Sequence, residues 1–428
     1  MNRFLYSILL TLILPFVPLK LLWRGFKQPA YLRHWGERFG FYNTPVNKAI
    51  IWLHCVSVGE TRAAEPLVKA LQLQYPNHQI LLSHGTPTGR DASAGIFGNL
   101  VERVYLPYDL PFAVNNFLRH FQPQIGLIME TELWFNLIAA CKKHEVPLLL
   151  LNARLSEKSA SGYTKLGKLA REGLQSLSAI AAQSADDCAK LTMLGAQNVQ
   201  ILGNLKFDVK PPAWAAAEAA KLRENLGMSR SIFLAASTRE GEEALILQAV
   251  KDLDVLTVIV PRHPQRFDEV ANLLRQNGLN FMWRTDLQAT TYPDERGDVV
   301  AKNVPPNCKF VIGNSMGEMF TYYGACDFTF IGGSLLAYGG QNLIEAAAMG
   351  KPILIGEHTY NFAESSANAV AAGAAIRVKD AAELREKIEF LLQNKSAITT
   401  MQNAALAFSA NSQGATVRVM RLIADFLD

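Results

Sequence analysis

The sequence lacks what a disulfide scaffold, a metalloprotein or a nucleic-acid binder would need. Its 428 residues include five cysteines. These are Cys55, Cys141, Cys188, Cys308 and Cys326, an odd number at wide spacings with no C-x-x-C pair. That argues against a disulfide framework or a cysteine–zinc site and leaves reduced, mostly buried thiols. Charged residues make up 19% of the chain and the net charge is only +4. So small an excess does not argue for nucleic-acid binding and draws the chain only weakly toward anionic surfaces or substrates. His54, His84 and His144 show no i, i+4 pairing, so metal ligation is not indicated. The one D-x-D, Asp252–Leu253–Asp254, ends a helical pattern and reads as a solvated turn, which gives no support to a metal-dependent sugar-transferase site. No G-x-G-x-x-G follows the first strand, which disfavours a dinucleotide site.

What is present is a chain long enough for two domains and an appendage, with 49% hydrophobic residues. Phe4 to Leu19 is almost wholly apolar, but Pro15 and Pro18 interrupt it. It also falls short of the roughly 20 residues a spanning helix needs. No small-residue cleavage site follows it, unlike a removable signal peptide. Lys20, Arg24, Lys27, Arg33 and Arg38 lie on its C-terminal side. The positive-inside rule then puts the body on the cytoplasmic face, with Trp23 and Tyr31 at headgroup level. A short span and a helix lying in the interface both remain open.

From Ala49 onward, apolar runs alternate with helical patterns, as in βαβ units around a parallel sheet. Strands are predicted at Ala49–Cys55, Gln79–Ser83, Glu102–Leu106, Gln124–Met129, Pro147–Leu151 and Ala179–Ala182. Thr61–Leu73 and Leu133–Lys143 are predicted helices. Lys210–Pro211–Pro212 cannot continue a helix or a central strand and reads as a linker. A second series follows at Ser231–Ala236, Leu256–Val260, Phe310–Ile312, Phe328–Ile331 and Pro352–Ile355. A helix over Gln341–Met349 stops at Gly350 with Pro352 beyond. Tyr292–Gly297 reads as a polar surface loop, and Thr416–Leu427 as an amphipathic helix. The expected parts are a membrane anchor and basic segment (1–47), a first Rossmann-like domain (48–210), and a second (211–428) that carries the last helix. Ligands of such sheets bind outside the carboxyl ends of the strands, so two facing halves would share a cleft.

Candidate site residues sit at those strand ends. Glu60, in Ser57–Val58–Gly59–Glu60, could take a proton from a substrate hydroxyl. The same S-x-x-E spacing is a capping box. It recurs at Ser237–Glu240 and Ser315–Glu318, and pattern alone favours a cap at each. Glu130 ends the fourth strand and could equally serve a helix N-terminus. Lys206 could neutralise a leaving phosphate or a donor carboxylate, or be an ordinary surface lysine. The hydroxyl-rich turn Ser237–Glu242 suits an anion at a helix N-terminus. Arg262, in Pro261–Arg262–His263–Pro264, is a candidate phosphate clamp. Gly332–Gly333–Ser334 and Tyr338–Gly339–Gly340–Gln341–Asn342 allow close backbone approach of a ligand. Glu345, one turn into the following helix, could bind ribose hydroxyls, and Asn342-x-x-Glu345 after a glycine loop points to a nucleotide-sugar.

Taken together, these motifs resemble the 3-deoxy-D-manno-octulosonic acid (Kdo) transferases of lipopolysaccharide synthesis. The resemblance runs through Leu22–Gly40, HCVSVGETRAA at His54–Ala64, GTPTGR at Gly85–Arg90, METELW at Met129–Trp134, Asn152–Tyr163 and GNLKFD at Gly203–Asp208. PRHPQRF, MGEMFTYYGACDFTFIGGS and GGQNLIEAAAMGKPILIGEHTYNF complete it, while the stretch between Arg284 and Asn307 is longer than the family leads one to expect. The resemblance implies a GT-B fold, an N-terminal anchor at the inner membrane, and no metal or cofactor. CMP-Kdo would be the donor and a lipid A precursor (lipid IVA) the acceptor. It implies Glu60 as general base, with Glu130 and Lys206 stabilising the transition state. It maps CMP binding to Pro261 and Arg262, to Met316, Gly317 and Glu318, and to Asn342, Leu343, Ile344 and Glu345. Two alternatives stand beside it. One is another GT-B nucleotide-sugar transferase or epimerase; the other is a membrane-tethered nucleotide-binding scaffold without transfer activity.

Overall fold

The computed structural model describes residues 1–288 and 303–427, with the backbone of 292–293 and 299–300 between them. Most of the expected Tyr292–Gly297 loop therefore lies outside the described residues. The chain divides into two compact units, residues 1–208 with 412–428, and residues 209–411.

The first unit is built on seven parallel strands: β1 (Ile50–Cys55), β2 (Gln79–His84), β3 (Glu102–Tyr105), β4 (Ile125–Met129), β5 (Leu148–Ala153), β6 (Ala179–Ala182) and β7 (Val199–Ile201). Their order is β3-β2-β1-β4-β5-β6-β7. Every residue of β1, β4, β5 and β6 is buried, because helices cover both faces, and this is why those strands read as unbroken apolar runs. β7 is half-exposed at the sheet edge and carries no such signal. Trp52 of β1 lies beside Gly126 of β4. A Cβ on Gly126 would meet the Trp52 ring at 2.7 Å, so this glycine makes room for the indole. The indole nitrogen donates to Ser83 Oγ at 2.7 Å.

The second unit repeats the plan with β8 (Ile232–Thr238), β9 (Leu256–Pro261), β10 (Phe281–Trp283), β13 (Phe310–Ile312), β14 (Phe328–Ile331), β15 (Ile353–Ile355) and β16 (Ala375–Arg377). The sheet order is β10-β13-β9-β8-β14-β15-β16, all parallel. β11 (Tyr292–Pro293) and β12 (Val299–Val300) form a separate antiparallel pair. In each sheet the chain switches sides next to its first strand, between β1 and β4 and between β8 and β14; in the second sheet β13 also inserts between β10 and β9. Loops diverge there and leave a crevice at the carboxyl ends.

Several elements differ from expectation, and the helix expected over Thr61–Leu73 is two, Val58–Ala63 and Glu65–Gln74. The helix expected from Gln341 is shorter, Ile344–Ala348, because the Gln341 amide is tied to Gly332 O and the Asn342 side chain turns back to accept the Ile344 amide. The final helix, Ala415–Leu427, belongs to the first unit, not the second. Its apolar stripe, Ala415, Val419, Met420, Leu422 and Ile423, packs with Leu67, Leu71 and Leu205. Asp208 caps its start by accepting the Gly414 and Thr416 amides, and Arg418 Nε donates to Leu202 O at 2.8 Å.

At the N-terminus, helices Arg3–Ile13 and Phe16–Lys27 meet at a bend of 54°. Among the described residues no single helix is long and apolar enough to cross a membrane, although this bent pair passes by length and composition together. The first helix turns its polar groups toward the body. The Tyr6 hydroxyl donates to Asp109 at 2.8 Å, and Ser7 Oγ donates to Asn136 at 2.8 Å. Phe4, Leu12, Phe16, Trp23 and Phe26 are left 60–88% exposed.

Because Ile423 is fully buried in the first unit's cluster, Ile423→Ala should destabilise that unit by about 2–4 kcal/mol. Amide hydrogen exchange should show faster exchange in Ile50–Cys55 and unchanged protection in Ile232–Thr238. Val417→Ala, at an exposed position of the same helix, should change neither.

Candidate functional site

At the first unit's crevice, β1 runs into the helix Val58–Ala63, whose N-cap is Ser57. The Ser57 hydroxyl accepts the Glu60 amide at 3.3 Å and donates to Glu60 Oε1 at 2.8 Å. Glu60 Oε2 accepts the Val56 amide at 2.7 Å. The cap suggested by the spacing therefore exists, and it also aims a carboxylate at the strand end. Glu60 is 7% exposed. Burial pushes its pKa up to about 7; the Val56 and Ser57 bonds pull it down, and Glu130 and Glu132 push it up again. Glu132 is itself raised by burial and by Glu130. The Cys55 thiol, buried beside Glu60 and Glu130, is pushed up by burial first and then by both carboxylates, which keeps it protonated and inert.

Glu130 follows β4 with φ +57, a conformation costly for a side chain other than glycine. Its amide donates to Leu151 O at 2.9 Å, and its carboxylate accepts Lys206 Nζ at 3.1 Å. Lys206 is therefore a paired residue of the site and not a free surface lysine. It sits on the short helix Leu205–Asp208, held by three polar side chains that sequence reasoning missed. Asn152 Oδ1, at the end of β5, accepts the Leu205 amide at 2.9 Å; Asn204 Oδ1 accepts the Lys206 amide at 2.9 Å; and Asn204 Nδ2 donates to Gln183 Oε1 at 2.9 Å. Asn152 is 1% exposed with φ +55. Periodicity carries no trace of this network. The only sequence signal is that Asn152 and Asn204 stand inside the family motifs. Glu60 and Glu130 thus follow the adjacent strands β1 and β4, and Lys206, on the short helix after β7, joins them through its bond to Glu130.

His54 and His84 lie beneath, buried and neutral. Burial lowers both, to about 3 and about 4. His84 spans Cys55 O and Ser93 Oγ at 3.1 Å each. Among the described residues no group of three His, Cys, Asp or Glu side chains could hold a metal ion.

In the second unit, the other two S-x-x-E segments are not capping boxes. After Ser237, left-handed at φ +55, the helix begins only at Glu242 with Gly241 as N-cap. The turn expected to receive an outside anion receives the Glu242 carboxylate instead. Its Oε2 accepts the amides of Arg239 at 2.9 Å and Gly333 at 2.6 Å, and its Oε1 those of Ser334 at 2.9 Å and Leu335 at 3.0 Å. Ser315 Oγ donates to Glu318 rather than capping the helix Met319–Ala325. Arg284 reaches the other Glu318 oxygen at 3.4 Å.

The expected nucleotide residues all follow carboxyl strand ends of this sheet. Pro261 ends β9, and Arg262 Nε donates to Gln341 Oε1 at 3.3 Å. Met316, 58% exposed, and Gly317, φ +82, follow β13. Asn342 Oδ1 accepts the Ile344 amide at 2.9 Å, and its Nδ2 donates to Glu345 at 3.1 Å. Glu345 thus lies in the helix's first turn. Leu343 and Ile344 are 0% exposed, and the Ile344 amide is already taken by Asn342. Arg239 stacks over the Tyr338 ring at 4.7 Å, with its Nη1 3.2 Å from His263 Nε2. Burial and then the arginines at 239, 262 and 266 lower the His263 pKa. A cluster this cationic suits an anionic ligand.

Residues 33–209 match the family model of 3-deoxy-D-manno-octulosonic-acid transferase, and residues 299–408 match that of the glycosyl transferases group 1. The chain is 39% identical to the 3-deoxy-D-manno-octulosonic acid transferase of Bordetella pertussis, over 89% of this chain and 88% of that one. It is 34% identical to the Haemophilus influenzae enzyme of the same name, over 100% and 99%. In fold it is similar to a glycosyltransferase from Rickettsia africae (TM-score 0.56, 14% identity, covering 89% of this chain and 99% of that one). UDP-GlcNAc 2-epimerase from Neisseria meningitidis gives the same TM-score, identity and coverage. These two likenesses speak to the two-domain GT-B-like architecture alone. From the sequence identity, which extends across both units, the chain belongs to the Kdo transferase family and is a glycosyltransferase.

Proposed function

We propose that this chain transfers Kdo, with inversion, from CMP-Kdo to the lipid A precursor lipid IVA. Membership of the Kdo transferase family supports Kdo transfer in lipopolysaccharide synthesis and sets aside the scaffold without activity. The first unit would act on the acceptor, and the second would hold the donor. Glu60 takes the proton of a glucosamine hydroxyl, and the freed oxygen attacks the anomeric carbon. The bond to the donor phosphate breaks, and its electron pair leaves with CMP. In the second unit Arg262 offsets the leaving charge. No metal or cofactor enters this scheme.

The observation that carries the base assignment is a carboxylate buried at the end of β1, held by Ser57 and the Val56 amide, that burial pushes up to about 7. A base works best with a pKa near the operating pH. Each Glu60 oxygen accepts one hydrogen bond, and a carboxylate oxygen has a second lone pair for a substrate proton.

The N-terminal pair would hold the enzyme at the cytoplasmic face of the inner membrane. Each helix, 11 or 12 residues long, extends only about 16–18 Å, against a hydrocarbon core of about 30 Å. With polar groups tied to the body and apolar groups facing out, the pair suits the interface more than a span. Arg24, Lys27 and Arg33 would then meet anionic headgroups.

Two outcomes test this reading. Glu60→Gln should lose about 10²–10⁴-fold in Kdo transfer to lipid IVA, by mass spectrometry of the product, while still binding CMP. In the parent enzyme kcat/KM should fall as pH drops through about 7, where the base becomes protonated; normal turnover by Glu60→Gln would refute the assignment. Separately, Phe4→Asp with Leu12→Asp and Phe16→Asp should cut flotation with anionic phospholipid vesicles at least tenfold and spare transfer to detergent-dispersed acceptor. Unchanged flotation would refute the anchor.

A further inference from the structure

Gly332 to Leu335 turns sharply at the end of β14, beside the end of β8. It presents successive backbone N–H groups to one point, a geometry that ordinarily binds a phosphate. The turn has no slack: a Cβ on Gly332 would meet Ser237 O at 2.4 Å and Thr238 Cα at 2.6 Å. Here the point is already filled. Glu242, 0% exposed, accepts four amides there, from Arg239, Gly333, Ser334 and Leu335. Two donors on each oxygen favour the ionised, acceptor-only form of the side chain. Burial raises its pKa above the ordinary carboxylate value, and these four amides pull it only part of the way back.

The same turn supports the residues beyond it. Gly333 O accepts the Gly340 amide at 2.7 Å, and Gly332 O accepts the Gln341 amide at 2.9 Å. Gln341 Oε1 then accepts Arg262 Nε. Glu242 thus fixes the turn, the turn fixes Gln341, and Gln341 orients Arg262. Of the surrounding cations, Arg266 is spent on Glu243, with bonds of 2.6 and 3.0 Å, and on Glu269. Arg239 lies over the Tyr338 ring and against His263.

We infer that Glu242 is a specificity-determining and positioning residue: its carboxylate occupies the anion nest of the second sheet, so the site accepts a donor with a single phosphate and rejects a nucleoside diphosphate. A second phosphate would find its backbone donors taken and a fixed negative charge in their place. The inference rests on the reading that the second unit holds a nucleotide-sugar.

Calorimetry of the full chain with CMP, CDP, UMP and UDP, without divalent cations, tests both and separates them. Cytidine against uridine at equal phosphate tests the donor reading. Monophosphate against diphosphate on whichever base binds tests Glu242. The parent protein should bind the diphosphate no more tightly than the monophosphate, and Glu242→Ala should shift that ratio at least tenfold toward the diphosphate. A parent that prefers the diphosphate overturns the inference, as does a folded Glu242→Ala with an unchanged ratio. Should Glu242→Ala fail to fold, Glu242→Gln, which keeps the size and drops the charge, must shift the ratio the same way, and the parent's own preference still decides. Failure of all four nucleotides to bind overturns both readings.

Discussion

A carboxylate can be buried only if something replaces the water it gives up. This constraint is met twice here, at the point where the chain switches sides in each parallel sheet. Glu242 is given four backbone amides. It becomes part of the framework, an internal anion that fixes a glycine turn. Glu60 is given one backbone amide and one hydroxyl, with other carboxylates nearby. It is left under-compensated, and that shortfall moves its proton affinity into the range where a side chain can exchange protons with substrate at neutral pH. Burial outweighs the donors at both carboxylates, and Glu60, with fewer of them, is carried to about 7.

The same economy sets a cost. A carboxylate whose pKa is raised on folding contributes stability that is full below its unfolded value and is lost as pH rises through the folded value. For Glu60 that window runs from the ordinary carboxylate range up to about 7. The ionised form needed for catalysis is therefore the form that destabilises the fold. The rest of the first unit resists this. Glu130 accepts the strain of a left-handed backbone and is neutralised by Lys206. Lys206 is held by Asn152 and Asn204 rather than by its own flexible stem. The returning C-terminal helix closes the apolar cluster beneath, next to Leu205.

Much of this was legible in the residues. The central strands announce themselves as apolar runs because both faces are covered, and β6, β13 and β14 carry the expected bounds. β7, β10 and β16 were missed because they are three residues long and partly exposed, with neither apolar continuity nor alternation to mark them. Of three S-x-x-E segments only Ser57–Glu60 caps a helix. At Ser237 a left-handed residue delays the helix, and at Ser315 the hydroxyl turns to the Glu318 carboxylate. Such outcomes depend on backbone angles that side-chain identity leaves open. The last helix shows an apolar stripe in sequence, but amphipathicity says only that a helix needs a partner. Chain order suggested the second domain, whereas the apolar partners and the Asp208 cap lie in the first.

The most direct test is the ionisation of Glu60 itself. Carboxyl signals of ¹³C-glutamate-labelled protein, assigned by comparison with Glu60→Gln, would be followed by NMR across pH 4 to 9. The account predicts a Glu60 midpoint close to 7, set mainly by burial. A midpoint in the ordinary range, near 4.3, would mean that the cap fully compensates the charge, and would contradict the claim that this carboxylate is the poised base.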